Sequence, residues 1–217
     1  MNRARTNAPE TDLAAALAAD DESTRLRAAL AAGSRAEPAL LDTLVARCAI
    51  EADFFVRDML TWALTRFPRE VTVPRLLAEL RSEQVQARSQ ALHTLSKIGD
   101  GSAWPAITRS LLRDSDDSVA TSAWRAAVVL VPADQKAGLA EELAAQLGRG
   151  DRGTQLSLSR ALVSLGEGAV EPALQRAKTS DDPDVRAHAD ATERLLRDPS
   201  AGFQHAVNQV KRLLAPD

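Results

Sequence analysis

Apolar residues in the middle of this chain recur with the period of an α-helix. Val56, Leu60, Ala63, Leu64 and Phe67 stand at an anchor position and then four, seven, eight and eleven residues later, which places them on one helical face. Apolar or small residues repeat this spacing from anchors at Val85, Val119, Thr154 and Val185, so that successive anchors lie 29, 34, 35 and 31 residues apart. A second series runs in step with the first. Pro38, Pro74, Pro105 and Pro172, each followed two positions later by Leu or Ile, are separated by 36, 31 and 67 residues, and Gly138 occupies the position that the long interval skips. The pattern predicts a unit of about 33 residues repeated from roughly Ala36 to Asp198.

Each unit reads as two helices. A proline opens the first, where its missing N–H has no intrahelical acceptor to lose. The anchor series forms the second, preceded three residues earlier by Asp53, Ser82, Asp116, Asp151 and Asp182, all good N-cap residues. Gly99, Gly166 and the prolines at 68, 132 and 199 are expected to end the second helices. The acidic clusters at 114–117 and 181–184 are therefore capping turns, and no metal site is read there.

The alternation of a Pro-opened helix with an Asp-x-x-Val helix resembles HEAT repeats of the short bacterial type, including those of phycobilin lyases. The resemblance covers about three quarters of the chain and is sharpest in Asp53-Phe54-Phe55-Val56-Arg57 and Asp182-Pro183-Asp184-Val185-Arg186, which carry the family's Asp, Val and Arg. It implies an all-α, right-handed superhelical solenoid of antiparallel helix pairs. Gln86, Ala120 and Gln155 stand where the family has Arg after the anchor, so its ladder of buried Asp–Arg pairs is expected to be incomplete. Bilin attachment belongs to some members, not to any residue here, and fold alone carries no activity.

Outside the units, residues 11–33 read as a degenerate helix pair, with Leu13 and Leu17 in the first helix and Leu26 and Leu30 in the second, capping the array's front. Residues 200–214 read as a closing helix, with Phe203, Val207, Val210 and Leu214 on one stripe and His205, Asn208, Lys211 and Arg212 off it. Residues 1–10 read as a tail. No linker interrupts 11–215, so one elongated domain is expected.

Composition agrees. Aromatics are 3% of the chain, Tyr is absent, and the 26% of charged residues are mixed in sign, as in helical arrays. A net charge of −3 gives no general attraction to polyanions. Cys48 is in phase with Leu40, Leu41, Leu44 and Val45 and reads as a core residue, in a reducing compartment. The chain has no apolar run of membrane-spanning length and no apolar leader, so a cytoplasmic protein without membrane contact is expected.

In such an array the second helices line a concave wall, on which residues two, five, six and nine after each anchor face a partner. These are Asp58, Thr61, Trp62 and Thr65; Gln90 and Thr94; Thr121, Trp124 and Arg125; Ser159 and Arg160; and Asp190 and Arg194. Two of three tryptophans fall in this set, flanked by Arg125 and Arg160, which suits recognition of a peptide by stacking and ion pairing. The alternative is that these rings pack sideways between helices. Trp104, beside Pro105, reads as core.

The segment from Phe54 to Leu64 also resembles the Phe-Phe-Ile…Trp-x-Leu-Arg segment of HEAT-like alkylpurine DNA glycosylases, which implies damaged DNA held in a cleft. Thr65 replaces that motif's Arg and Asp58 a residue commonly Lys, and no counterpart of the catalytic Asp is found. His93, His188 and His205 are scattered, with no nucleophile elbow or phosphate loop, and the glycine-rich stretch at 148–153 joins two helices as a turn. The sequence thus predicts a non-enzymatic scaffold, with no cofactor or metal, that binds a protein or peptide along its concave wall. Nucleic-acid binding is the alternative.

Overall fold

The structure is a computed structural model and describes residues 8–198. The expected closing helix over 200–214 and the stop at Pro199 lie outside these residues. Among the described residues are twelve α-helices, three short 3-10 helices and no strand. They gather into two compact units that meet in sequence at Leu130 and Val131.

The first unit contains α1 (Ala8–Leu17), α2 (Glu22–Arg35), α3 (Leu41–Ile50), α4 (Phe54–Thr65), α5 (Arg69–Glu79), α6 (Val85–Ile98), α7 (Arg109–Leu112) and α8 (Asp117–Leu130). Each odd helix packs on the even helix after it, and the second helices α2, α4, α6 and α8 also pack in sequence. The second unit repeats the arrangement with α9 (Lys136–Ala144), α10 (Arg152–Leu165), α11 (Glu167–Ala177) and α12 (Pro183–Arg197). Both are stacks of helical repeats. Val56, Leu60, Ala63, Leu64 and Phe67 are all buried, so the anchor pattern marks the core face of α4. Cys48 is buried with them, and burial, reinforced by the nearby Glu51 carboxylate and opposed by Arg57, pushes its thiol pKa up to about 12.

Three expectations are corrected. Pro74 and Pro172 do not open their helices: α5 follows Pro68 and α11 follows Gly166, and both prolines sit at the sixth helical residue. Each removes the donor that would have met the carbonyl of Glu70 or Gly168 four residues back. Pro105 lies within a 3-10 stretch, Gly101–Ala106, ahead of the four-residue α7. Only Pro38 begins its helix, a 3-10 turn leading into α3.

The second correction concerns register. Val85 is 37% exposed, whereas Ala87, Ala91, Thr94 and Leu95 form the buried stripe of α6, so the anchor is Ala87 and its N-cap position is Gln84, not Ser82. Anchor spacings then become 31, 32, 35 and 31. Ser82 instead braces the turn by accepting the Gln84 N–H at 3.2 Å. Asp53, Asp116, Asp151 and Asp182 do cap their helices, and Asp21 caps α2 through the Thr24 N–H at 2.7 Å.

The third follows from the second. Arg88, four residues after its N-cap, occupies the place assigned to Gln86. Arg25, Arg57, Arg88 and Arg186 all use Nη1 in one way, donating to the carbonyls five and six residues earlier at 2.6–3.2 Å. Gln155 imitates them with its amide, at 3.3–3.4 Å to Gly150 and Gly148. Only Ala120 breaks the set. Two of these arginines also reach forward one repeat to a carboxylate: Arg25 to Glu51 and Arg88 to Asp114, both 26 residues on.

A candidate binding groove on the second helices

The residues lining any wall of second helices are fixed by how those helices pack on each other. The position five after the anchor is closed in every repeat but the last: Ala29, Thr61, Leu92, Trp124 and Ser159 are all buried. This answers the question about the tryptophans. Trp124 is wholly buried, and its Nε1–H donates to the Leu112 carbonyl at 2.8 Å, so it is a core residue and is withdrawn from the wall. Trp62, one position further round, is 38% exposed. Its ring lies over Gly33 of α2, where a Cβ would come within 2.5 Å of Cζ3, and the Arg66 guanidinium stands 6.0 Å from its centroid. Trp104 is half-buried.

Other predicted wall residues also divide. Thr94 is buried and back-bonded to the Gln90 carbonyl at 2.8 Å, having been placed on the wall by the two-residue register error. Ser159 is buried and bonded to His188 and Thr192. Asp190 turns toward α11, where its carboxylate is 3.7 Å from Lys178. Thr65 spends its hydroxyl on the Trp62 carbonyl. Arg160 and Arg194 are exposed.

Five predicted residues do come together. Asp58 and Thr61 of α4, Gln90 of α6, and Thr121 and Arg125 of α8 line one groove of about 280 Å³, completed by Arg57, His93 and Phe54. It opens where α4 and α6 pack less extensively than α2 and α4 or α6 and α8 do. Phe54 and Phe55, 64% and 70% exposed, meet edge-to-face at 5.5 Å at the start of α4, with Ile50 exposed nearby in sequence. In a chain with so few aromatics this is a notable apolar edge.

Within the groove, burial lowers the pKa of His93, the positive charges of Lys97 and Arg125 lower it further, and Asp58 opposes them. The balance favours the neutral imidazole. The Ser89 and Ser122 hydroxyls bond each other at 3.0 Å, and Ser89 also donates to the Ser118 carbonyl. Thr61 differs. The buried threonines 72, 94 and 192 each donate to the carbonyl four residues back, at 2.8–3.0 Å, while the Thr61 hydroxyl, 3% exposed, has no hydrogen-bond partner. A buried hydroxyl without a partner costs about 1–3 kcal/mol.

The second unit holds a larger recess, about 400 Å³, between α10 and α12, lined in part by Arg152, Leu156, Ser159, His188 and Arg194. Its buried polar groups satisfy one another. His188 Nδ1 accepts the Gly148 N–H at 3.0 Å, and Nε2 lies 2.9 Å from the Gln155 carbonyl and 3.0 Å from Ser159 Oγ, which fixes a neutral tautomer with the proton on Nε2.

Sequence reasoning missed His93, Arg57 and Phe54. The first was hidden by the register error in α6; the exposure of Phe54 and Phe55 runs against the usual burial of aromatics, and nothing in the pattern signals it.

No family model matches the chain, and no curated protein does. Among solved structures it is similar to an engineered protein at 24% identity, covering 88% of this chain and 96% of that one with a TM-score of 0.47. It is also similar to a designed armadillo repeat protein at 17% identity, covering 85% and 98% with a TM-score of 0.43. A third likeness is to the complex of CpcE and CpcF of phycocyanin lyase from Nostoc sp. PCC7120, at 22% identity, covering 90% and 79% with a TM-score of 0.49. None of these carries an activity or a partner across to this chain. Among the described residues, no helix is long and apolar enough to cross a membrane.

Proposed function

We propose that this protein is a non-enzymatic scaffold that binds a protein or peptide partner on the wall built by α4, α6 and α8. The observation that carries the reading is the coincidence of a polar groove, a buried hydroxyl in it with nothing to bond, and an exposed aromatic pair beside it. A short segment of a partner would satisfy the first two and cover the third. The buried Trp124 leaves the wall for either kind of partner, and Asp58 sets a negative charge in the groove, which disfavours the phosphates of the nucleic-acid alternative.

Selection of displayed random peptides on the immobilised protein tests the reading. Enriched sequences should bind the wild type and lose at least fivefold in affinity to Arg125→Gln, while Arg160→Gln, outside the groove, changes nothing. No enrichment, or affinities indifferent to Arg125, would overturn the proposal. A salt-dependent shift of duplex DNA that needs Arg125 and Arg160 would instead favour the alternative.

A further inference from the structure

Granting that the α4–α6–α8 groove receives a peptide, we infer that the side chain it takes is a carboxylate: an acidic residue of the partner, flanked by apolar residues that rest on Phe54 and Phe55. Charge argues first. Arg57 and Arg125 bring two positive charges to the lining against one negative from Asp58, and burial together with the Lys97 and Arg125 charges holds His93 toward its neutral form. That matches a singly charged carboxylate and falls short of a phosphate or a polyanion.

Hydrogen bonding argues next. An O–H that has declined the carbonyl behind it is free to donate, and a carboxylate oxygen is the strongest acceptor a peptide offers. Gln90 and Thr121 stand beside it as further polar contacts. Depth decides between sources of the carboxylate. Thr61 is nearly inaccessible, while the phenyl rings stand at the surface. A main chain running past those rings keeps its own terminus shallow, whereas the carboxylate of a Glu side chain hangs on two methylenes and reaches inward. The groove's volume suits one or two side chains, below the roughly 300 Å³ at which small-molecule pockets begin.

The test is an NMR titration of the full chain with three peptides: acetyl-Leu-Glu-Leu-amide, acetyl-Leu-Gln-Leu-amide, and acetyl-Leu-Gln-Leu with a free C-terminal carboxylate. The Glu peptide should shift the amides around Thr61, Gln90 and Thr121 saturably at millimolar concentration, and at least tenfold more tightly than either Gln peptide. Arg125→Gln should abolish the difference. Thr61→Val should weaken the Glu peptide several-fold while leaving the free protein's melting temperature unchanged or higher, because it removes an unpaired hydroxyl. Equal binding of all three peptides at the groove would overturn the carboxylate inference and leave the peptide reading standing. Preference for the free C-terminus would overturn the side-chain assignment. Shifts confined to other surfaces, with all three peptides, would overturn both. A lower melting temperature for Thr61→Val would remove the argument from its hydroxyl.

Discussion

Arg25 holds Glu51 of the next repeat with a pair of hydrogen bonds, Nε to Oε2 at 2.8 Å and Nη2 to Oε1 at 2.9 Å. Glu51 is fully buried at the turn before α4, where Arg47 and the Asp53 N–H also donate to it. Burial by itself would raise the pKa of this carboxyl, but the hydrogen bonds from Arg25, Asp53 and Arg47 prevail and hold it down at about 2.

Removing that carboxylate strands two arginines. Glu51→Ala should therefore lower the stability of the first unit by about 3 kcal/mol, the order of a broken buried pair, measured by urea unfolding at pH 7. Because the folded-state pKa is depressed, the pair's stabilisation is present above the ordinary carboxyl value near 4.5 and disappears as pH falls toward 2. The mutant's own loss of stability across that acid range should be smaller than the wild type's.

At Gly33, α2 lies tight against α4. A methyl group there would meet Trp62 Cζ3 at 2.5 Å and the Ala63 backbone at 2.7 Å. Gly33→Ala ought to gain about 1 kcal/mol of helix propensity, yet net destabilisation of about 1–3 kcal/mol is expected from the overpacking, together with a shifted Trp62 emission. Thermal melting and fluorescence would check both. A stabilised variant would contradict the close approach.

The two tryptophans of the second helices should answer truncation differently. Trp124→Ala empties a fully buried site and strands the Leu112 carbonyl, at a cost of about 3–5 kcal/mol. Trp62→Ala, at a partly exposed site, is expected to cost no more than about 1–2 kcal/mol. Iodide should quench Trp62 and spare Trp124, which tryptophan-to-phenylalanine variants would separate.

His188 ties the Gly148 turn to α10 and α12 only while Nδ1 is unprotonated. Burial lowers its pKa, with the Gln155 carbonyl pulling the other way. The neutral ring's contribution is complete above the ordinary histidine value of about 6.5 and is lost as pH falls below it. Hydrogen exchange of α12 amides, corrected for intrinsic rates, should accelerate between pH 7.5 and 5.5, and His188→Gln should flatten that dependence. Equal protection at both pH values would refute it.

The helical period and the aspartate caps were legible in the sequence because they are local: a stripe such as Val56–Phe67 needs no information beyond one helix. The wall was only half legible. Whether a second helix buries one face or two depends on its neighbour, and this decided Trp124 and Ser159 against exposure. In α6 a valine at the first helical residue outcompeted Ala87 as the apparent anchor, since hydrophobicity is a better signal than small size; two residues of slip then hid His93 and Arg88. The usual preference of proline for a first helical turn points to Pro74 and Pro172 as helix openers, whereas repeat packing tolerates them inside.

The arginine that grips its own preceding turn has an engineering consequence. Asp53 to Arg57, with the Glu51 and Ala52 carbonyls that Arg57 holds, forms a cassette of seven consecutive residues whose hydrogen bonds specify how one helix hands over to the next. The arginine clip recurs at Arg25, Arg88 and Arg186, so one kind of bond fixes four handovers, and a graft of this corner must carry the arginine and both carbonyls together, whereas the fully buried Ala120 makes its handover without the clip.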